Sequence, residues 1–103
     1  MTNSPDEIIS QFIVDRGIEV DENFPATAIT RTDALEFIEL LALFGRCPVG
    51  IELWRRIPAG YDVDGLAGWY SSRRDGQSNR EQARRYLSDG DFGDSDRFVL
   101  QYV

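Results

Sequence analysis

The stretch that most constrains the fold is residues 32–45, "TDALEFIELLALFG", because its apolar side chains cover nearly the whole circumference of a helix. A helix that is apolar on most sides is normally central in a hydrophobic core. We expect Thr32 or Asp33 to cap its start and Gly45 to end it, while Pro48 prevents it from resuming. The other elements must therefore be arranged around this helix.

Two further segments carry the signals of helix ends. In "SPDEIISQFIVDRG", Ser4 is a suitable N-cap, Pro5 suits the first helical position, and Gly17 is placed to adopt the left-handed conformation after the last turn. In "SNREQARRYLS", Ser78 and Glu81 have capping-box spacing. The sequence thus predicts about three helices.

The remaining segments predict strands. "VGIELWRRI" alternates with period two, so that Ile51 and Leu53 face one way and Glu52 and Trp54 the other. Either both faces of this strand are covered, or Trp54 is partly exposed beside Glu52, where it would suit a protein interface.

A short connection predicts that "LAGWYSS" pairs antiparallel with that strand, across a turn and a loop that contains Asp62 and Asp64. "RFVLQYV" has the composition of a terminal strand, and residues 18–30 predict a loop with one or two short extended pieces. We expect an α+β fold, a small antiparallel sheet with about three helices packed mainly on one face, in a single domain spanning 1–103.

The charge of the chain limits its partners. The 103 residues carry a net charge of −7, and all eleven basic residues are arginines. An anionic chain repels phosphate backbones, so we expect no nucleic-acid binding, whereas a basic protein would be steered toward it. The short apolar runs and the N-terminus "MTNSPDEII" predict neither a membrane span nor a secretory signal, and a single cysteine fits the cytoplasm.

Little catalytic chemistry is available. Histidine is absent, so Cys47 has no histidine partner. We expect Cys47 to be an inert buried thiol. Zinc ligands are lacking, and "DGDFGDSD" departs from the EF-hand register, so we expect a solvated loop and neither metal nor cofactor. The arginines of "RRDGQSNREQARR" are expected to pair with that acidic loop. Paired carboxylates such as Asp62 and Asp64 leave a small carboxylate-dependent enzyme as an alternative.

From "DALEFIELL" onward, over about 33–88, the chain resembles a family of bacterial immunity proteins from polymorphic toxin systems, catalogued as immunity protein forty. The resemblance lies in the order of an apolar helix, a strand like "GIELW", a motif like "GWYSS", an acidic-glycine turn and a serine-capped helix. The corresponding residues are Gly50, Ile51, Glu52, Leu53, Trp54, Gly68, Trp69, Tyr70, Asp75, Gly76 and Ser78. Two departures are Gly68, where the family has aspartate or asparagine, and a C-terminal segment that is strand-like where the family is helical.

The resemblance implies a cytoplasmic inhibitor, not an enzyme, which binds a cognate toxin domain, basic in character and possibly a nuclease, and blocks its active site in contact-dependent competition between bacteria. A phage-encoded acidic inhibitor or DNA mimic is a second candidate. If the chain is a toxin inhibitor, the tryptophan strands would form the scaffold and the acidic loop would present carboxylates to the toxin. The expected toxin-binding residues are Glu52, Trp54, Asp62, Asp64, Trp69 and Tyr70.

Overall fold

In the part of the chain that the structure describes, three helices and five strands form an α+β arrangement, as the sequence predicts. The computed structural model describes residues 3–21, 23 and 26–103. The helices are α1 (Pro5–Arg16), α2 (Arg31–Leu43) and α3 (Gly76–Asp89). The strands are β1 (Ile18–Glu19), β2 (Thr27–Ala28), β3 (Pro48–Ile57), β4 (Gly60–Tyr70) and β5 (Arg97–Tyr102).

The main sheet has the order β4-β3-β5, and all its neighbours are antiparallel. β3 and β4 are joined through Pro58 and Ala59 alone, which fixes their pairing at the turn. β1 and β2 form a separate short hairpin. Ile29 ties this hairpin to the main sheet, since its N–H donates to the carbonyl oxygen of Phe98 at 2.9 Å and its C=O accepts the Phe98 N–H at 2.8 Å.

Helices α2 and α3 pack on one face of the main sheet, which we call the helical face, and α1 packs on α2 and β2. The side chains of β3 and β5 that point toward these helices meet the apolar surface of α2, as its sequence predicts. The fully buried members of this main core are Ile9, Ile29, Ala34, Phe37, Ile38, Leu41, Ile51, Leu53, Ala83, Leu87 and Phe98.

Trp54 lies on the other side of the sheet, in a small second cluster. Val20 and Ala28 from the β1–β2 hairpin pack against it, and Trp54 is 7 % exposed. The idea that Trp54 is an exposed interface residue is therefore wrong. The other expectation, that both faces of this strand are covered, holds around Trp54. The covering element there is a hairpin and not a helix.

The helix ends agree with the sequence only in part. Ser4 caps α1 as predicted, but α2 is capped by Thr30, not Thr32 or Asp33, and α3 by Asp75, not Ser78. In both corrected cases the true cap lies two or three residues earlier, and its side-chain oxygen accepts the N–H three residues on. The caps therefore add a turn or less to each predicted helix.

Two glycines predicted to end helices behave differently. Gly45 has φ 66° after α2, a left-handed conformation that favours glycine. Gly17, by contrast, is extended, with φ −89° and ψ 163°, so the predicted left-handed end of α1 is wrong. A β-carbon at Gly17 would collide with the side chain of Thr27, so close approach of the hairpin accounts for glycine there.

Asn79, fully buried near the start of α3, connects the helix to the sheet. Its amide nitrogen donates to the carbonyl oxygens of Pro48 and Arg73, at 2.9 and 2.8 Å, and contacts the sulfur of Cys47 at 3.2 Å. Its amide oxygen accepts from the Ser71 hydroxyl. These bonds fix α3 against the helical face. Within the described chain, no helix is both long and apolar enough to cross a bilayer.

Candidate functional site

The face of the main sheet opposite α2 and α3, which we call the open face, gathers aromatic, charged and apolar side chains. Because side chains alternate along a strand, the pairing of β3 with β4 and β5 places one set of residues on this face. The set comprises Glu52, Trp54 and Arg56 from β3, Tyr61, Val63 and Tyr70 from β4, and Arg97, Val99 and Gln101 from β5. The β1–β2 hairpin and the end of α1 flank it.

A bulge in β4 shapes one edge of the open face. Asp64 pairs with Leu53 and Trp69 with Ile51, so four residues of β4 (65–68) lie opposite the single residue Glu52. The side chain of Leu66 in this bulge is fully exposed. A carboxylate oxygen of Asp64 accepts the N–H of Leu66, at 3.3 Å, and steadies the turn. The bulge interrupts the edge strand, which disfavours simple strand addition there.

Tyr70 is the most exposed aromatic residue on the open face, at 54 %. Its ring lies over two glycines: a β-carbon would fall 3.1 Å from it at Gly50 and 2.9 Å at Gly68. Partial burial, and secondly the negative charge of Glu52, raise the pKa of the Tyr70 phenol. A phenol is protonated near neutral pH even at its ordinary pKa of 10.0, so the hydroxyl can donate to a partner.

A groove of about 570 Å³ lies between the β1–β2 hairpin and the turn that joins β3 to β4, and we call it the hairpin groove. Three carboxylate residues line it: Glu19, Asp21 and Asp62. Trp54, Tyr61 and Val63 also line it, together with Val20, Asn23, Ala59 and Gly60. The hairpin groove thus combines aromatic walls with negative charge.

A second groove, of about 690 Å³, continues across the open face toward α1. Ile13 and Val14 from α1 line one side, and Trp54, Val63 and Val99 from the sheet line the other. Trp54 and Val63 therefore line both grooves, which adjoin at these two residues. Such a depression can take a side chain or a segment of another protein.

The structure brings together only some of the predicted site residues. Glu52 and Tyr70 lie on the open face and Trp54 forms its floor. Asp62 is at the edge of the hairpin groove, but it pairs with Arg55, so its side chain points toward the helical face and its assignment to the site is corrected. Asp62 belongs to strand β4, so the expected inter-strand acidic loop does not exist. Residues 60–64 are in a strand because the pairing of β3 with β4 continues as far as the two-residue turn.

Asp64 and Trp69 belong to the helical face, which corrects their assignment to the site. Asp64 bonds Arg55 at 3.2 Å, and the same guanidinium reaches the buried carboxylate of Asp96, also at 3.2 Å. Trp69 pairs with Ile51 and packs against the main core. Both side chains therefore have structural partners on the side of the sheet away from Glu52.

Sequence reasoning missed Glu19, Tyr61 and Val63. Tyr61 and Val63 flank Asp62 with strand alternation, and that pattern could have indicated them. Glu19 comes from a distant hairpin, and the sequence carries no local sign that it lies near Asp62. No cluster of three or more metal-ligand side chains occurs within the residues described.

The arginines of α3 are held on the helical side of the molecule. Arg84 bonds Glu39 of α2 at 2.6 Å, Arg85 bonds Glu81 at 3.2 Å, and Arg80 donates to the carbonyl oxygen of Arg46 at 2.9 Å. Pairing with the acidic loop was predicted, and that is wrong for these three. These three positive charges therefore lie on the helical side of the sheet.

Comparison of the chain with protein-family models and with curated proteins found no match.

Proposed function

We propose that the protein is an immunity protein that binds a cognate bacterial toxin domain through its open face and blocks the active site of the toxin. The open face supports this proposal most directly, because it leaves aromatic and acidic side chains uncovered by α2 and α3. Exposed Tyr70 beside Glu52 has the character of an interface anchor.

The proposed partner is basic, as nuclease domains are. The net charge of −7 and the acids of the hairpin groove would accelerate encounter with a cationic surface. Apolar contacts at Val63 and Tyr70 would then hold the complex. Such an inhibitor acts in the cytoplasm of the cell it protects and performs no chemistry of its own.

The test is growth rescue and pull-down with the product of the adjacent upstream gene. We expect the wild-type chain to restore growth and to retain the toxin domain. The double variant Glu52→Arg/Tyr70→Ala should lose both effects while its unfolding midpoint stays close to wild type. The matched control is Glu81→Arg/Gln82→Ala on the exposed side of α3, which should still rescue.

Absence of binding and rescue by the wild-type chain would defeat the proposal. Rescue by the open-face variant at wild-type level would leave inhibition possible but remove the open face as its site.

A further inference from the structure

We infer that Leu66, on the bulge of β4, inserts into an apolar pocket of the bound toxin domain. This inference rests on the proposed function, since it names an anchor of the same interface and the kind of surface that receives it. Three observations carry it together: the full exposure of the side chain, the fixation of the main chain that bears it, and the contact of the bulge with Tyr70.

The side chain of Leu66 is unsupported by its own chain. Its exposure is 101 %, and the next most exposed large apolar residue among those described is Leu43, at 74 %. A single exposed apolar residue is ordinary on a protein surface, so exposure alone identifies no site. It does define the shape of the partner, because a flat surface would cover one side of this side chain and a pocket would cover all sides.

The main chain around Leu66 is held by hydrogen bonds. A carboxylate oxygen of Asp64 accepts the N–H of Leu66 at 3.3 Å, and Arg55 bonds the other oxygen of that carboxylate at 3.2 Å. Next to Leu66, the hydroxyl of Tyr86 donates to the carbonyl oxygen of Ala67 at 2.6 Å. Bulges often serve to re-aim a side chain, and this one holds a leucine out into solvent. A residue that is fixed before binding loses less conformational entropy in the complex.

The bulge adjoins the residues that the proposed function places in the interface. Residues 65–68 lie opposite Glu52. The Tyr70 ring lies against the end of the bulge, because a β-carbon at Gly68 would fall 2.9 Å from it. A partner that contacts Glu52 and Tyr70 therefore also reaches Leu66. The combination of an apolar centre with charge beside it is the usual arrangement of a protein interface.

The experiment measures the affinity of the toxin domain, the product of the adjacent upstream gene, for variants at position 66 by titration calorimetry. Leu66→Met keeps an apolar side chain of similar size and should bind within about threefold of wild type. Leu66→Ala should weaken binding at least tenfold. Leu66→Asn keeps the shape of leucine but is polar, so it should weaken binding at least as much. Because the side chain is fully exposed, all three unfolding midpoints should stay close to wild type.

Leu43→Ala is the matched control, since it makes the same change at an exposed leucine at the end of α2, and it should bind like wild type. Unchanged affinity in Leu66→Ala, equal loss in the two alanine variants, or wild-type binding by Leu66→Asn would overturn the inference. Sedimentation of the protein alone tests another occupant. A dimer that Leu66→Ala dissociates, with unchanged affinity for the toxin, would assign the leucine to a second copy of the chain.

The fixed main chain has its own test. Tyr86→Phe removes the hydrogen bond to Ala67 and should weaken binding about threefold when Leu66 is present. In the Leu66→Ala background the same change should have no further effect, because there is no anchor left to position. Equal losses in both backgrounds would overturn the part of the inference that assigns the fixed bulge to the positioning of Leu66.

These results separate the inference from the proposed function. A wild-type chain that binds the toxin and restores growth, with a Leu66→Ala variant that binds equally well, would reject the anchor and keep the immunity function. A wild-type chain that neither binds nor restores growth would reject both.

Discussion

At the scale of single residues, two glycines on the open face make room for Tyr70. Gly50 and Gly68 present no side chain where the phenol ring crosses β3 and β4. At Gly68 a β-carbon would lie 2.8 Å from the backbone oxygen of Ile51, which cannot move without disturbing the sheet. The aspartate or asparagine that the resemblance leads one to expect at this position would therefore displace Tyr70.

We predict that Gly68→Ala destabilises the fold by about 1–3 kcal/mol, as overpacking does. Gly65→Ala in the same bulge is the control, because its β-carbon would meet no atom within 4 Å. That control should change the free energy of unfolding by about 0.5 kcal/mol or less. Urea unfolding measures both, and equal effects of the two substitutions would contradict the described packing around Tyr70.

A second residue-scale prediction concerns Tyr86, whose hydroxyl donates to the carbonyl oxygen of Ala67 at 2.6 Å. Burial, and secondly repulsion from Tyr70, raise the pKa of Tyr86 from 10.0 to about 12. Between pH 10 and pH 12 the unfolded chain loses the phenolic proton of Tyr86, whereas the folded chain keeps it. The stability that results is complete below pH 10 and is lost as the pH rises through 12.

Tyr86→Phe should therefore flatten the decline in unfolding free energy between pH 10 and pH 12, compared with wild type. The measurement is urea unfolding at several pH values, with tyrosinate absorbance to follow the late titration. A variant whose decline is as steep as that of wild type would show that Tyr86 titrates normally.

At the scale of elements, the sequence predicts helices and strands well where the signal is local. The apolar periodicity of α2 and the alternation of β3 are such signals, and both elements are present. The caps were less predictable because Thr30, Thr32 and Asp33 are all good N-cap residues. The choice falls on Thr30 because Ile29, just before it, is bonded to Phe98 on a distant strand.

This assignment predicts that Thr30→Ala costs about 1 kcal/mol of unfolding free energy, because the N–H of Asp33 loses its acceptor. Thr32→Ala makes the same chemical change at an exposed position inside α2 and should cost about 0.5 kcal/mol or less. Thermal or urea unfolding would decide between them. A larger loss from Thr32→Ala would restore the cap predicted from the sequence.

Strand β4 shows why part of the candidate site escaped prediction. Its sequence, with three glycines, two aspartates and little alternation, resembles a loop. Long-range pairing with β3 overrides that local preference. The bulge at 65–68 also changes which face of the sheet the following side chains point toward. Trp69 consequently faces the main core while Tyr70 faces the open side, a distinction that two adjacent aromatic residues do not reveal by themselves.

At the scale of the whole molecule, both faces of the sheet carry acids and arginines. The arginines of α3 are bonded on the helical side, whereas Glu52 lies on the open face without a salt bridge among the described residues. The sequence predicted an anionic protein but not this placement, because it depends on the register of β3 with its neighbours.

The placement of Glu52 predicts a local effect on association with the toxin domain. Glu52→Arg and Glu81→Arg change the net charge equally, but only Glu52 lies on the open face. Stopped-flow measurements at low salt should show that Glu52→Arg slows association about threefold or more relative to Glu81→Arg. The difference should shrink at 0.15 M salt, where the Debye length is about 8 Å. Equal rates for the two variants would place the encounter surface elsewhere.

The most direct test of open-face binding is hydroxyl-radical footprinting of the protein, free and in complex with the toxin domain. Tyr70 and Val63 are exposed on the open face, and Leu43 is exposed at the end of α2. The account predicts that the complex protects Tyr70 and Val63 and leaves Leu43 as reactive as in the free protein. Protection of Leu43 and α3, with Tyr70 and Val63 still reactive, would contradict it.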